Sequence, residues 1–140
     1  MSISARNKIQ GRVSGIQSGE VMSLVTIQAG EQRLVSAVTN EGVKELQLKQ
    51  NDSVTAVVKS TEVMLIKGDV GAIKISARNR LKGQVASVQK GEAMGLVAVT
   101  VGALHLGAAI TRQAIDELGL VQGDAVTVVI KATEVMLLKE

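Results

Sequence analysis

The chain has no cysteine, no proline and no Phe, Trp or Tyr among its 140 residues. Without Cys, disulfides and thiolate metal sites are excluded, and an intracellular location is the natural reading. A single histidine, His105, has Arg33 as its counterpart 72 residues earlier, which argues against a His metal site or a His general base. Without aromatic rings a nucleic-acid groove loses base stacking, worth ~1–3 kcal/mol per base. No apolar run approaches the ~20 residues of a membrane helix, and no basic-then-apolar leader opens the chain. The expectation is a cytoplasmic protein with neither a membrane nor a nucleic-acid partner. The net charge is +3, with basic residues scattered singly, which favours small anions over a polyanionic tract.

What the sequence does have is a repeat. Ser4-Ala5-Arg6-Asn7 returns as Ser76-Ala77-Arg78-Asn79, and residues 3–68 align with 75–140 at a constant offset without a gap, about half of the pairs being identical. An internal repeat sets the architecture before any other signal. We expect one domain over 1–68, a linker over 69–74 and a second domain over 75–140. Units this small bury little surface alone and rely on disulfides, metals or oligomerisation. Only oligomerisation remains here. Hydrophobic residues make up 46% of the chain, and a subunit interface is the expected place for their excess.

Each unit reads as strand, apart from one helix. Ile9–Gln17, Val21–Gln28 and Arg33–Val38 are β-like in the first copy, then Val54–Lys59 and Glu62–Lys67. Thr111 fits a helix N-cap, Ile115 and Leu118 share an apolar face, and Gly119 sits where a glycine stops a helix. Five short strands with one helix between the third and fourth is the order of an OB-type barrel. The expected fold is all-β: two tandem OB-like five-stranded barrels. Val57-Val58 and Val128-Val129-Ile130 interrupt the alternation of a half-buried strand, so both sheet faces are expected to be covered. Neighbouring subunits are the expected cover. The methionines Met22, Met64, Met94 and Met136 lie in apolar strands and are expected in the core.

The polar residues shared by the copies include hydroxyls, Arg and Lys, but no catalytic pair. Arg offers a planar fork of donors for oxyanions and Lys a point charge. Hydroxyls and backbone N–H groups complete a cage for a tetrahedral anion, and the helix start after Thr39 or Thr111 adds free N–H donors. Another reading fits the same residues: Ser4 and Asn7 as turn caps, Lys59 and Lys131 as edge-strand charges that block aggregation. Glu20, Glu92, Glu62 and Glu134 read as turn and edge carboxylates, since nothing pairs two acids in one cleft. No enzymatic activity is expected.

The opening Ser-Ala-Arg-Asn, the glycines Gly11/Gly83 and Gly19/Gly91, and the endings Val-Lys-Ser-Thr-Glu-Val-Met-Leu and Ile-Lys-Ala-Thr-Glu-Val-Met-Leu resemble the molybdate-binding Mop module of the Mop/TOBE family. The tandem arrangement resembles a di-Mop molbindin. That resemblance implies OB-like barrels in a ring, a homotrimer of tandem chains, and molybdate or tungstate bound between subunits as ligand rather than catalytic cofactor. The implied cages use Ser4, Ala5, Arg6, Asn7, Thr39, Lys59 and Ser60, and likewise Ser76, Ala77, Arg78, Asn79, Thr111, Lys131 and Ala132. A second set near the symmetry axis is implied at Gly19, Glu20, Val21 and Met22, and at Gly91, Glu92, Ala93 and Met94, through backbone N–H groups. The copies depart where Ser60 meets Ala132. A hydroxyl that binds there would leave the second type of site weaker. The implied role is molybdate storage and homeostasis. The alternative is an OB-fold scaffold or nucleic-acid module that binds no oxyanion.

Overall fold

The computed structural model describes residues 2–68 and 73–140, so the first four positions of the expected linker, 69–72, lie outside the described residues. The first copy runs β1 (Asn7–Ser18), β2 (Met22–Ala29), β3 (Gln32–Thr39), α1 (Asn40–Glu45), β4 (Ser53–Val58), a 3₁₀ turn (Ser60–Glu62) and β5 (Met64–Lys67). The second runs β6 (Asn79–Lys90), β7 (Met94–Val101), β8 (Leu104–Thr111), α2 (Arg112–Leu118), β9 (Ala125–Ile130), a 3₁₀ turn (Ala132–Glu134) and β10 (Met136–Leu138). The element order expected from sequence holds, and the 3₁₀ turns are an addition to it.

The strands follow from alternation. In β2, Ser23, Val25, Ile27 and Ala29 point inward, while Met22 and Leu24 point outward. Each fully buried Val, Ile or Leu contributes roughly 1.5–3 kcal/mol, and Val13, Val25, Ile27 and Leu34 are all fully buried. A register shift between Val13 and Gly15 bulges β1 against β2, and Val85/Ser87 repeats it. Bulges bend and twist a strand, consistent with the curl of both sheets. Thr39 and Thr111 cap the helices, their side chains accepting from the backbone N–H of Gly42 and Ala114, both at 3.0 Å. Gly119 ends α2 at φ 58°, in the left-handed region that favours glycine.

The sheets do not follow the sequence repeat. One has the order β10-β4-β1-β2-β3 and the other β5-β9-β6-β7-β8, so each curled five-stranded antiparallel sheet takes an edge strand from the opposite copy. Met136 pairs with Val57 and Met64 with Val129. The exchange changes two expectations. Val57, Val58, Val128, Val129 and Ile130 are buried on both faces, as expected, but within the single chain. Met22, Met64, Met94 and Met136 are 40–45% exposed rather than core, because the pleat turns alternate side chains outward.

Both exchanged ends are clasped. Lys139 Nζ donates to the Gln47 carbonyl and the Asp52 carboxylate, each at 2.9 Å. Lys67 Nζ repeats the geometry on the Gly119 carbonyl at 3.2 Å and Asp124 at 3.7 Å. Asp52 is also held by the Lys49 backbone N–H at 2.9 Å. Its carboxyl sits below the usual carboxylate range, chiefly through the Lys139 hydrogen bond and next through the Lys49 N–H.

Candidate functional site

The start of β1 and the end of β4 run side by side. Asn7 is opposite Val58, the last pair of the β1–β4 ladder, so Arg6 and Lys59 flank its end. Asn79 opposite Ile130 ends the β6–β9 ladder, and Arg78 and Lys131 flank it likewise. The sequence-predicted cations of each copy therefore lie at the same end of one ladder. Arg6 and Lys59 are exposed, Ala5 is buried and Ser60 is half-buried. The Lys59 and Lys131 carbonyls accept from the Glu62 and Glu134 N–H groups, both at 2.9 Å, while among the described residues neither side-chain ammonium group has an ion pair.

Arg6 is folded back on its own loop. Its Nε donates to the Ser4 carbonyl at 2.9 Å and its Nη2 to the Ile3 carbonyl at 2.7 Å. Arg78 repeats this on Ser76 and Ile75 at 3.0 and 2.7 Å. The guanidinium thereby shapes the loop, and its remaining N–H donors face outward. Arg78 also lines a cleft of about 420 Å³ whose other walls, Ile16, Leu24, Thr26 and Val35 among them, come from the first copy. The cation of one copy thus stands over the sheet of the other.

Asn7 and Asn79 do something else. Asn7 Nδ2 donates to the Gly107 carbonyl at 2.9 Å, and Oδ1 accepts from the Gly107 N–H at 2.7 Å. Asn79 makes the same pair with Val35 at 2.8 and 2.7 Å. Both asparagines are buried, and both side-chain amides join the two copies instead of facing an open cage. The recurrence of Asn7 as Asn79 marked them as important without distinguishing a ligand from a joint.

Thr39 and Thr111 each use one lone pair as a helix cap and keep a hydroxyl proton to donate. Thr39 is four residues along β3 from Val35, roughly 13 Å at ~3.3 Å per residue, so it stands apart from the Asn79 joint. The helices have only six and seven residues, and their dipoles add little beyond the capped N–H groups.

The second predicted set forms the β1–β2 and β6–β7 turns. The Gly19 N–H donates to the Met22 carbonyl, and Gly91 to Met94, both at 2.8 Å. The carbonyls of Val21 and Ala93 accept from the backbone N–H groups of Asn40 and Arg112. Glu20 and Glu92 are exposed at these tips, and Val21 is 70% exposed. A cleft of about 810 Å³ lies elsewhere, along Lys8, Arg12, Ser53 and Thr55, and contains none of the predicted residues. Among the described residues no cluster of His, Cys, Asp or Glu could hold a metal ion, and no helix is long and apolar enough to cross a membrane.

The TOBE domain model matches residues 3–65 and again 75–137. The chain belongs to the TOBE domain family. Over its full length this TOBE protein superimposes on a crystal structure of the cytoplasmic molybdate-binding protein ModG with molybdate bound, with a TM-score of 0.94, 36% identity and complete coverage of both chains. It is 37% identical over 138 residues to the molybdenum transport protein ModE of Herbaspirillum seropedicae, spanning 97% of the TOBE protein and 51% of that relative. Each copy is the size of a smaller relative: molybdenum-pterin-binding protein 2 of Clostridium pasteurianum is 43% identical over 67 residues, which is 98% of its length. The chain thus spans about half the length of its ModE relative and nearly all of the single-unit one.

Proposed function

We propose that this TOBE protein binds molybdate, and by the same chemistry tungstate, as a cytoplasmic store and buffer of the anion, without catalysing a reaction. The observation that carries the reading is the placement of the cations: Arg6 and Lys59 flank the paired Asn7 and Val58, and Arg78 and Lys131 flank Asn79 and Ile130, each pair beside a cross-copy joint. A tetrahedral dianion offers only acceptors. It needs donors and positive charge, and these pairs supply both without a carboxylate among them. The similarity to molybdate-binding ModG over the whole chain supports the same reading.

In this reading the anion sits between subunits of the oligomer. Ser4, Arg6, Lys59 and Ser60 form one cage and Ser76, Arg78, Lys131 and Ala132 the other. The backbone N–H groups of Ala5 and Ala77 join them, and the hydroxyls of Thr39 and Thr111 serve as more distant donors. Asn7 and Asn79 hold the cage walls. The sequence units 1–68 and 75–140 act as the two binding modules, with the exchanged strands tying them together. The exposed Met22, Leu24, Met94 and Leu96 form apolar strips suited to assembly, and a homotrimer would bring the turns at Gly19–Met22 and Gly91–Met94 together as a second set of sites.

The test is the double variant Arg6→Ala/Arg78→Ala. The reading expects molybdate affinity to fall by roughly tenfold or more, the worth of one hydrogen bond to a charged group, with the strand content unchanged. Arg6→Lys/Arg78→Lys should recover only part of the loss, because it keeps charge and removes the fork. Full affinity in the Ala double variant would remove the arginines from the site.

A further inference from the structure

The repeat presents one surface twice, and the chain uses it only once. On the second copy Thr127 Oγ1 donates to the Gly68 carbonyl at 3.2 Å, and Arg80 Nη1 donates to the Ile73 carbonyl at 2.9 Å. The Gly68 N–H donates to the Ala125 carbonyl at 2.7 Å. Gly68 and Ile73, on either side of the stretch that joins the copies, are thus held on β6 and β9 through their main-chain groups. Thr127 is buried there.

The counterparts on the first copy are Lys8 and Thr55. They occupy the same ladder positions: Lys8 is opposite Val57 as Arg80 is opposite Val129, and Thr55 is opposite Gln10 as Thr127 is opposite Lys82. Among the described residues neither the Lys8 ammonium nor the Thr55 hydroxyl has a hydrogen bond. Lys8 is exposed, and Thr55 is half-buried where Thr127 is buried. The edge strand also stops one pair short. β10 ends at Leu138 opposite Thr55, whereas β5 continues to Lys67 opposite Val126. Ser53 and Val54 of β4 therefore have no ladder partner on that side. Lys8, Arg12 and Thr55 line the cleft of about 810 Å³ described above, with apolar walls from Leu104 and Leu138 of the other copy. Its lining has two cations against one acid, Glu140.

We propose that this cleft docks an extended acidic peptide of a partner protein, held as the chain holds Gly68 and Ile73 on its second copy. Thr55 and Lys8 donate to main-chain carbonyls of the peptide, and the unpaired stretch of β4 offers it a short sheet edge. Addition of an extended segment to a sheet edge draws its affinity from such main-chain hydrogen bonds. Lys8 and Arg12 favour acidic side chains and disfavour basic ones. The joining stretch itself, Gly68-Asp69-Val70-Gly71-Ala72-Ile73, has one acid and no base, which makes it the template for a probe. None of the residues assigned to the oxyanion cages lines the cleft, so the proposal stands apart from the molybdate reading.

The test is titration of the isotope-labelled full chain with the capped peptide Gly-Asp-Val-Gly-Ala-Ile, followed by amide chemical shifts. The shifts should move at Lys8, Gln10 and Thr55. Lys8→Met and Thr55→Val should each weaken the peptide roughly three- to tenfold, the worth of one hydrogen bond. Both positions are open to solvent, so unchanged spectra elsewhere check that the variants fold. A peptide with Lys in place of Asp should bind more weakly than the original. No shift at these residues with millimolar peptide overturns the proposal, as does full affinity in both variants. Movement at Arg80 and Thr127 in their place would show exchange with the chain's own joining stretch, which also overturns it. Tighter binding of a hexathymidylate at the same residues would assign the cleft to nucleic acid instead.

Discussion

Asn7 and Gly107 form a two-way amide pair across the two halves of the chain, the side chain imitating a neighbouring strand. Nδ2 donates to the Gly107 carbonyl at 2.9 Å, and Oδ1 accepts from its N–H at 2.7 Å. Asn79 and Val35 repeat it. Each asparagine satisfies two part-buried backbone groups on the unpaired side of an edge strand, β8 at Gly107 and β3 at Val35. Asn7→Ala leaves both unpaired, and each such group costs about 1–3 kcal/mol. We expect Asn7→Ala to destabilise the fold by at least about 2 kcal/mol in urea unfolding, and Asn7→Asp to fail as a substitute because it cannot donate. A loss below 0.5 kcal/mol, roughly that of an ordinary surface change, would remove the joint from the account.

The Lys139–Asp52 clasp predicts a pH dependence. The folded chain holds the Asp52 carboxyl below its usual range, first through the Lys139 hydrogen bond, and therefore favours the ionised form. That stability is fully present above the unfolded value near ~3.9 and is lost as pH falls through the lower folded value. Lys139→Met should lower the melting temperature at pH 7 and have a smaller effect at an acidic pH below the lowered folded value of Asp52, where that carboxyl is protonated in both proteins. An equal loss at both pH values would show that Lys139 acts through packing alone.

The C-terminal end of α1 carries strain that α2 avoids. Gln47 adopts φ 50° at the position where the second copy has Gly119 at 58°. A side chain in the left-handed region costs roughly 1–2 kcal/mol. Gln47→Gly should therefore stabilise the protein by about 1 kcal/mol, less the entropy glycine adds to the unfolded chain. The Gln47 carbonyl that accepts from Lys139 remains in place. Denaturant midpoints of the two proteins check this, and a lower midpoint for the variant contradicts it.

Much of this fold was legible in the sequence. Alternation set the strands, Thr39 and Thr111 announced the helix starts, and Gly119 announced a helix end. The strand exchange was not legible. Met64-Leu65 and Met136-Leu137 are the same dipeptide in both copies, so either sheet can accept either edge strand, and only the path through the 3₁₀ turn decides between them. The exposure of the methionines was hidden for a related reason: an apolar residue on the outward pleat has the same identity as one on the inward pleat. At the site, repetition of Arg6 and Lys59 marked a pair of cations, and both flank the same end of the β1–β4 ladder. Repetition of Asn7 carried the same signal and turned out to mark a joint. The meeting of Asn7 with Gly107 depends on the packing of one copy on the other, and no spacing along the chain encodes it.

If the anion binds the folded protein between subunits, it stabilises the assembly by mass action. The expected gain is RT ln(1 + [L]/Kd), about 2.7 kcal/mol at a hundredfold excess over Kd for one site. Saturating molybdate should therefore raise the melting temperature by several degrees, and the double variant Arg6→Ala/Arg78→Ala should lose most of the shift. An unchanged melting temperature in the wild type would argue against sites at subunit interfaces.

The most direct measurement is calorimetric titration of the phosphate-free wild-type chain with molybdate, with sulfate as the control. The account predicts heat from molybdate at more than one anion per chain, with sulfate showing how far the cages distinguish one tetrahedral dianion from another. Silence with both anions would contradict it and leave Arg6, Lys59 and their counterparts as surface charge on an OB-like scaffold.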